Sequence, residues 1–147
     1  MLIRPADLSD LRNIFEWRND SLSRSMFLNS KLVSLDEHSE WYQHSLSNPY
    51  RRMYIGIINE LKVGIVRFDL DTDTLQSVVS INLNPKLRGN DYGFTLLDKA
   101  IRLYEHSKDT TLMAIIKKGN SASLKIFQKC DFQKKSENDF FYHLIRI

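Results

Sequence analysis

Three apolar runs in the middle of the chain follow one another with very short polar connections. They cover residues 53–58, 63–70 and 75–83, and each has the pattern of a strand. The connections, Asn-Glu at 59–60 and Asp-Thr-Asp-Thr at 71–74, are far shorter than the crossover that parallel strands need. This part of the chain is therefore predicted to form an antiparallel meander.

Two helices are predicted before the meander, after a short strand at residues 1–3. Apolar residues at helical spacing predict a first helix with Asp7 as its N-cap and an end near Asn19. A second helix is predicted to begin at Ser34, where the Ser34 hydroxyl and the Glu37 carboxylate suit a capping box.

The elements after the meander alternate between helix and strand. The pattern predicts a helix over residues 94–104, a strand over 112–116, a helix that begins after Gly119, and closing strands over 132–135 and 140–147. The element order is β-α-α-β-β-β-α-β-α-β-β, with no repeat and no linker. This order is typical of the α+β class.

The length of 147 residues and an apolar content of 42% suit a packed globular fold. We therefore predict one domain over residues 1–147, with a mixed, mainly antiparallel sheet flanked by about four helices.

Charge is interspersed along the chain, with a formal net charge of 21 − 18 = +3. The basic pairs at 51–52, 117–118 and 134–135 are separated by apolar segments. Nucleic-acid surfaces gather positive charge on one face, so no nucleic-acid partner is predicted, and a small anionic ligand suits this charge equally well.

Cys130 is the single cysteine, and with only four histidines it forms no cluster of zinc-ligand spacing, so no metal is predicted. Cys130 lies among apolar helix positions and is predicted to be a core residue. His44 and His106 are predicted to be exposed helix residues. No apolar run is long enough to span a bilayer, and the chain starts without a leader-like pattern. We expect a cytoplasmic protein without membrane association.

Between the third strand of the meander and the next helix, residues 84–93 form a turn with glycines at Gly89 and Gly93. A strand-turn-helix joint of this kind points unpaired N–H groups outward at the positive end of a helix dipole. Arg88 adds a cationic donor. These features suit a pyrophosphate site, although the glycines of such a joint also occur for the turn alone.

The same turn resembles the acetyl-coenzyme-A loop of the Gcn5-related N-acetyltransferase (GNAT) superfamily, Arg/Gln-x-x-Gly-x-Gly/Ala. The first and last positions match, and Asp91 stands where the inner glycine is usual. The resemblance implies that the coenzyme contacts Arg88, Gly89, Asn90, Asp91, Tyr92 and Gly93. The departure predicts that Asp91 either points to solvent or weakens coenzyme binding.

Residues 120–132 are similar to a second motif of the superfamily, Asn-x-x-Ser-x-x-x-Tyr-x-x-x-Gly-Phe. The resemblance implies splayed fourth and fifth strands with the pantetheine arm between them. The implied partners of that arm are the main-chain groups of Ile81, Asn82 and Leu83. The side chains of Val79, Ile81 and Leu83 also suit an apolar core face. Asn120 is implied to contact pantetheine or support the splay, and it equally suits a helix N-cap. Phe127 is implied to lie at the coenzyme.

Catalytic residues are less apparent. Phe127 stands where many relatives have a proton-donating tyrosine, and Val78 stands where they have a glutamate base. Ser80 and Asn82, on the face of that strand opposite Val79, Ile81 and Leu83, are predicted to orient a water or the amine. His38 is the candidate base because an imidazole titrates near physiological pH, and a solvated first-turn position is the alternative.

The amino-terminal third carries Trp-Arg-Asn at 17–19 and Glu-His-x-x-Trp at 37–41. These patterns resemble bacterial nucleotide-sugar N-acetyltransferases, particularly those that acetylate the 4-amino group of an amino-dideoxy sugar on the pseudaminic acid route. Arginines suit a nucleotide diphosphate, and aromatic faces suit a base or a deoxysugar. The predicted acceptor residues are Trp17, Arg18, Arg24, Met26, Phe27, His38 and Trp41. For the aromatic residues, helix core is the alternative.

The resemblance implies an acetyl-coenzyme-A-dependent N-acetyltransferase that works by direct transfer in a ternary complex. Acetylation of protein N-termini, including ribosomal proteins, is a second hypothesis, and it predicts an acidic groove where a nucleotide sugar predicts basic and aromatic lining. A third hypothesis is a non-catalytic coenzyme-binding module, supported by the departures at Val78, Asp91 and Phe127. A homodimer is also an open expectation.

Overall fold

The computed structural model describes residues 1–104 and 110–147, and His106 lies outside them. Its strands are β1 (Leu2–Pro5), β2 (Arg51–Ile58), β3 (Leu61–Asp71), β4 (Gln76–Leu83), β5 (Thr111–Lys117), β6 (Gln133–Glu137) and β7 (Phe141–Arg146). Its helices are α1 (Leu11–Asn19), α2 (Ser21–Met26), α3 (Leu35–Ser47), α4 (Tyr92–Leu103) and α5 (Ser121–Lys129). None of these helices is long and apolar enough to cross a membrane.

The strands form one sheet in the order β1-β2-β3-β4-β5-β7-β6. Only β4 and β5 are parallel, and the other neighbours are antiparallel. The predicted meander is β2-β3-β4, and the α+β class with a mixed, mainly antiparallel sheet is confirmed.

One helix was not predicted. The described part of the chain has five α-helices where the sequence predicts about four, because α2 is a separate six-residue helix after α1. Its residues are mostly polar and too few for an apolar period, so its signal is an N-cap: the Asp20 side chain accepts a hydrogen bond from Ser23 N.

The predicted helix starts are capped by the expected residues. Asp7 and Asp10 form a capping box around a 3-10 turn over Leu8–Asp10, which leads directly into α1. The Ser34 side chain accepts from Glu37 N at the start of α3, which is one of the two hydrogen bonds of the predicted capping box. Asp10 is fully buried, and hydrogen bonds from Arg4, Asp7 N and Lys62 outweigh the cost of burial and lower its pKa to about 2.

Two apolar clusters lie on opposite faces of the sheet. One packs α4 and α5 against residues such as Val66, Phe68 and Leu144, and the other packs α1 and α3 against Ile55 and Ile65. The sheet separates them because side chains alternate between its faces.

Two facing glycines set how closely α4 approaches the sheet. Gly56 and Gly64 are cross-strand partners in β2 and β3. A Cβ atom on Gly56 would lie 2.6 Å from Leu96 Cδ1, and one on Gly64 would lie 2.7 Å from the Asn82 carbonyl oxygen. The fully buried Leu96 therefore occupies the space that two missing side chains leave.

The parallel pair β4 and β5 separates soon after it begins. The two strands are in register only from Gln76 to Val78 and from Thr111 to Met113. Beyond this point β4 pairs on one side only, with β3. The splay leaves one backbone edge of residues 79–83 without a strand partner and opens the centre of the sheet.

Candidate active site

A cavity of about 1130 Å³ occupies the splay between β4 and β5. The carboxyl-terminal half of β4, the start of α4 and α5 line one end of it. Side chains from α1, α2 and α3 line the other end. One continuous space thus joins the predicted coenzyme loop to the predicted acceptor segment.

The wall made by β4 offers both backbone and side-chain groups. Its unpaired edge includes Ile81, Asn82 and Leu83, all of which line the cavity. An extended ligand arm can hydrogen-bond such an edge as an added strand does. Ser80 pairs with Arg67 of β3 and Asn82 pairs with Ile65, so the side chains of Ser80 and Asn82 share the sheet face covered by α1 and α3.

The turn before α4 leaves backbone N–H groups available at the helix start. Asp91 is the N-cap, but its side chain makes no capping hydrogen bond. The Asp91 side chain is 79% exposed, and its Oδ1 lies 3.8 Å from Lys129 Nζ. Asp91 therefore points to solvent, the first of the two alternatives that its departure from the loop pattern predicts.

Backbone geometry explains what the inner position of the loop requires. Asp91 has φ 60° and ψ 20°, the left-handed conformation that glycine adopts most easily and aspartate tolerates better than most residues. A Cβ atom at Gly93 would lie 2.5 Å from Ile126 Cδ1, so a larger residue there would require the Ile126 side chain to move. An anion at the α4 N-terminus would meet uncapped N–H groups and the positive end of a twelve-residue helix.

Arg88 has a partner that the sequence did not indicate. Its Nη2 donates to Asp20 Oδ2 and, at 2.7 Å, to Ser23 Oγ. The Arg88 guanidinium therefore joins the predicted coenzyme loop to α2. No other hydrogen-bond partner of this guanidinium is found within residues 1–104 and 110–147.

Asn120 and Phe127 line the α5 side of the cavity. The Asn120 side chain accepts from Ser123 N, so the N-cap alternative for Asn120 is confirmed. Phe127 is 2% exposed and meets Phe132 edge to face with ring centroids 5.0 Å apart. The Phe127 ring closes the cavity wall and has no proton to donate.

His38 belongs to the acceptor end and is not a solvated residue. It is 2% exposed and lines the cavity, and its Nε2 lies 3.0 Å from the Leu11 carbonyl oxygen. Since a carbonyl only accepts, Nε2 carries the proton and Nδ1 keeps its lone pair. Burial lowers the pKa of His38, the bond to Leu11 opposes that shift, and the nearby Arg18 charge adds to it.

Arg18 presents an unmatched cation to the same end of the cavity. Its Nη2 donates to the Asn29 carbonyl oxygen at 2.8 Å, and its guanidinium carbon lies 4.8 Å from the centre of the Phe27 ring. Its Nη1 is buried and has no hydrogen-bond partner among the described residues. Burial lowers the pKa of Arg18, and repulsion from Arg24 and Arg67 lowers it further.

A second arginine reaches this end from the sheet. Arg67 lines the cavity, and its Nε donates to Asp69 Oδ2 at 3.0 Å, while Arg51 binds the other oxygen of that carboxylate. The carboxylate is thus shared by two guanidinium groups. Burial and the Arg51 charge lower the pKa of Arg67, and Asp69 raises it.

Trp41 is both a packing residue and part of the cavity wall. Its ring centre lies 5.6 Å from the Arg51 guanidinium carbon and 5.5 Å from that of Arg67. The side chain remains 37% exposed and lines the cavity. Cation–π contact therefore holds the indole while leaving part of it open to a ligand.

Three predicted site residues do not line the cavity. Trp17 is 3% exposed and packs in the cluster under α1 and α3, so its prediction as an acceptor contact is wrong and helix core is the correct alternative. Arg24 binds the carbonyl oxygens of Asn19 and Ser30 and fixes the chain after α1. Asn90 donates to carbonyl oxygens of its own turn.

The remaining predicted residues do line the cavity. They are Arg18, Met26, Phe27, His38, Trp41, Ser80, Ile81, Asn82, Leu83, Arg88, Gly89, Asp91, Tyr92, Gly93, Asn120 and Phe127. Arg67 was missed. Its signal is a charged residue within the apolar run Val63–Phe68 of β3, where a cation is tolerated when it is paired or functional.

The splayed sheet and its central cavity are those of an acyltransferase domain. The family model of the acetyltransferase (GNAT) domain matches residues 1–133, and the chain belongs to this family. It is an N-acetyltransferase. Val78, at the family's base position, lines the cavity but carries no titratable group.

The relatives include curated and solved proteins. The chain is 25% identical to acetyltransferase PseH of Campylobacter jejuni subsp. jejuni serotype O:23/36 (strain 81-176), over 92% of this chain and 84% of that protein. It resembles the structure of spermidine N-acetyltransferase from Vibrio cholerae in complex with CoA and spermine, with a TM-score of 0.85, 16% identity and coverage of 99% and 94%.

Ribosomal-protein-alanine N-acetyltransferase from Brucella melitensis is similar as well, with a TM-score of 0.83, 21% identity and coverage of 100% and 99%. At these identities the solved structures establish the fold. Their acceptors differ from one another, so the acceptor of this chain has to be inferred from its own cavity.

Proposed function

We propose that this enzyme acetylates a primary amine of a nucleotide-linked amino sugar, with acetyl-coenzyme A as the donor. The preferred acceptor is the 4-amino group of a UDP-linked amino-dideoxy sugar. The observation that carries this proposal is the positive charge at the acceptor end, where Arg18 has a buried, unpartnered Nη1 and Arg67 shares its carboxylate with Arg51. A diphosphate supplies the anionic oxygens that these donors lack.

The lining of the whole cavity supports the same choice. Within the described ranges, its cations are Arg18, Arg67, Arg88, Lys125 and Lys129, and its carboxylates are Glu37 and Asp91. A groove for a peptide N-terminus or a polyamine calls for mainly acidic lining, whereas the cations of this lining outnumber its carboxylates by five to two. Phe27 and Trp41 add aromatic faces on which a base or the apolar face of a deoxysugar can stack. The similarity to PseH agrees with this choice.

The donor end fits acetyl-coenzyme A. The free β4 edge at Ile81, Asn82 and Leu83 would hold the pantetheine arm, and the uncapped N–H groups at the start of α4 would hold the pyrophosphate. Bound there, the donor supplies a thioester carbonyl for attack by the amine. Ser80 and Asn82 would orient the amine or a water at the β4 wall.

His38 is our candidate for the base. Its neutral imidazole keeps a lone pair on Nδ1 because Nε2–H is committed to Leu11, and this lone pair can accept a proton from the amine directly or through a water. A covalent acyl-enzyme is disfavoured, since Cys130 is 4% exposed and burial raises its pKa to about 11. We therefore propose direct transfer in a ternary complex.

The test is thiol release from acetyl-coenzyme A against a panel of amines. The panel contains UDP-linked 4-amino-4,6-dideoxy sugars, the same sugars without the nucleotide, spermidine, and N-terminal peptides, with coenzyme binding measured in parallel. We expect turnover of the nucleotide-linked sugars and at least tenfold lower kcat/KM for the free sugars. Preferential turnover of peptides or polyamines would overturn the proposal.

A further inference from the structure

Helix α2 is attached to both sides of the splay. On the β4 side, Arg88 Nη2 donates to Asp20 and Ser23, which are 68 and 65 positions away in sequence. On the β5 side, Lys117 Nζ lies 3.0 Å from the Ser25 carbonyl oxygen. A helix of six residues therefore bridges the loop that precedes α4 and the end of β5.

The same helix covers part of the cavity. Leu22, Ser23 and Met26 contribute to its lining, between the β4 loop and the acceptor residues of α1 and α3. Few apolar contacts hold α2 itself, since Leu22 is 53% exposed and no α2 side chain belongs to either apolar cluster. Its position depends on polar contacts to a greater degree than that of the longer helices.

Asp20 has two roles at this bridge. Its Oδ2 accepts from Ser23 N at 3.0 Å as the N-cap of α2, and the same oxygen accepts from Arg88. The Arg88 bond and the Ser23 bond lower the pKa of Asp20, so the carboxylate stays charged at neutral pH. The ion pair is partly shielded, with 25% of the Asp20 side chain and 36% of the Arg88 side chain exposed.

The contacts with Asp20 and Ser23 use only some of the N–H donors of the Arg88 guanidinium. Both contacts use Nη2, and a guanidinium has five N–H groups. Arg88 lines the cavity next to the turn with the uncapped N–H groups. Its Nε and Nη1 can therefore bind a phosphate oxygen while Nη2 remains on Asp20.

We propose that Asp20 is a positioning residue that acts through Arg88. Asp20 holds the Arg88 guanidinium so that its Nη2 stays bonded at α2 while its Nε and Nη1 bind the coenzyme pyrophosphate. Coenzyme binding then stabilises α2, and with it the part of the cavity lining that α2 contributes, before the acceptor binds. Because linkage is reciprocal, an ordered α2 also favours coenzyme binding. This inference requires a coenzyme at the turn and is independent of which amine is acetylated.

Amide hydrogen exchange of the full chain with coenzyme A as the only ligand tests this coupling. In the wild type, coenzyme A at saturation is expected to slow exchange of the Ser23 and Arg24 amides about tenfold, in addition to amides of the turn before α4. Asp20→Asn keeps a side-chain oxygen for the helix cap and removes the charge that holds Arg88. In this variant the coenzyme-dependent protection of α2 is expected to fall to twofold or less, while the turn remains protected.

Two further variants separate this role from a purely structural one. Ser23→Ala removes the second Arg88 contact without changing charge, and it should reduce the α2 effect in part. Asp36→Asn, at an exposed first-turn acid of α3, is the matched control and should behave as the wild type. A structural role of Asp20 would change α2 exchange equally with and without coenzyme A. That result would overturn the proposal, and so would α2 exchange rates in the wild type that do not change when coenzyme A binds.

Discussion

His38 Nε2 and the Leu11 carbonyl oxygen are 3.0 Å apart, which joins the first turn of α3 to the first residue of α1. This contact fixes the tautomer of a buried imidazole at the acceptor end of the cavity. It also surrounds that imidazole with rings, since Phe15, Trp41 and Tyr42 have centroids 5.4, 5.8 and 5.9 Å from it. A charge on His38 is therefore disfavoured in the folded protein.

The first prediction concerns stability against pH. The folded pKa of His38 lies below its ordinary value of 6.5, so between these two values the unfolded chain binds more protons. The contribution of His38 to the free energy of unfolding should be fully present above pH 6.5 and should decrease as the pH falls towards the folded pKa. Urea unfolding at pH 7.5 and 5.5 measures this loss, and His38→Gln, which stays neutral and can still donate to Leu11, should lose less.

The exposed His44 of the same helix provides the control. His44→Gln should keep the pH dependence of the wild type. If His38→Gln also keeps it, the buried imidazole does not control this part of the acid sensitivity.

The second prediction concerns Arg18. Charge-assisted hydrogen bonds contribute about 1.5–3 kcal/mol, so Arg18→Ala should raise the acceptor KM about 10- to 100-fold. Coenzyme binding, measured by calorimetry, should be unchanged because Arg18 is not among the predicted coenzyme contacts. Arg102→Ala, whose side chain is 77% exposed on α4, is the control. An equal loss of acceptor and coenzyme binding would indicate a folding defect instead.

The third prediction uses Arg67 to test the chemistry of the acceptor. Arg67→Gln leaves Asp69 paired with Arg51, so no carboxylate is left without a partner. If Arg67 binds a phosphate oxygen, kcat/KM for the nucleotide-linked sugar should fall at least tenfold. The same constant for the sugar without its nucleotide should change less than twofold. A similar decrease for both acceptors would assign Arg67 to the sheet and not to phosphate recognition.

Local signals explain why much of the fold and many of the cavity-lining residues were predictable. Strand runs with short connections specify a meander, and a strand-turn-helix joint with two glycines marks the start of α4. The pairing of Asp20 with Arg88 spans 68 positions and has no local signal. The prediction that Trp17 contacts the acceptor was wrong for a related reason. Trp17 lies three residues after Ile14 on the buried face of α1, and the sequence of a short helix does not reveal which aromatic residues face a cavity.

The fourth prediction concerns the close approach of α4 to the sheet. Gly56→Ala should destabilise the fold by about 1–3 kcal/mol, since the new methyl group would overlap the buried Leu96. Chemical denaturation measures the change. The double variant with Leu96→Val should recover part of the loss relative to the sum of the single changes. Strict additivity would show that the two positions do not share space.

The last prediction concerns Asp91, the residue at the usual glycine position of the coenzyme loop. Asp91→Gly removes a negative charge near the expected pyrophosphate, and a change of about 0.5–1 kcal/mol corresponds to coenzyme A binding about two- to fivefold tighter. Stability should change little, because relief of the left-handed φ offsets the greater freedom of unfolded glycine. Asp131→Gly is a matched control, since Asp131 has φ 69°, carries the same charge and does not line the cavity. If both variants tighten coenzyme binding equally, net charge is responsible; if neither does, the solvent-facing Asp91 carboxylate has no effect on the anion site.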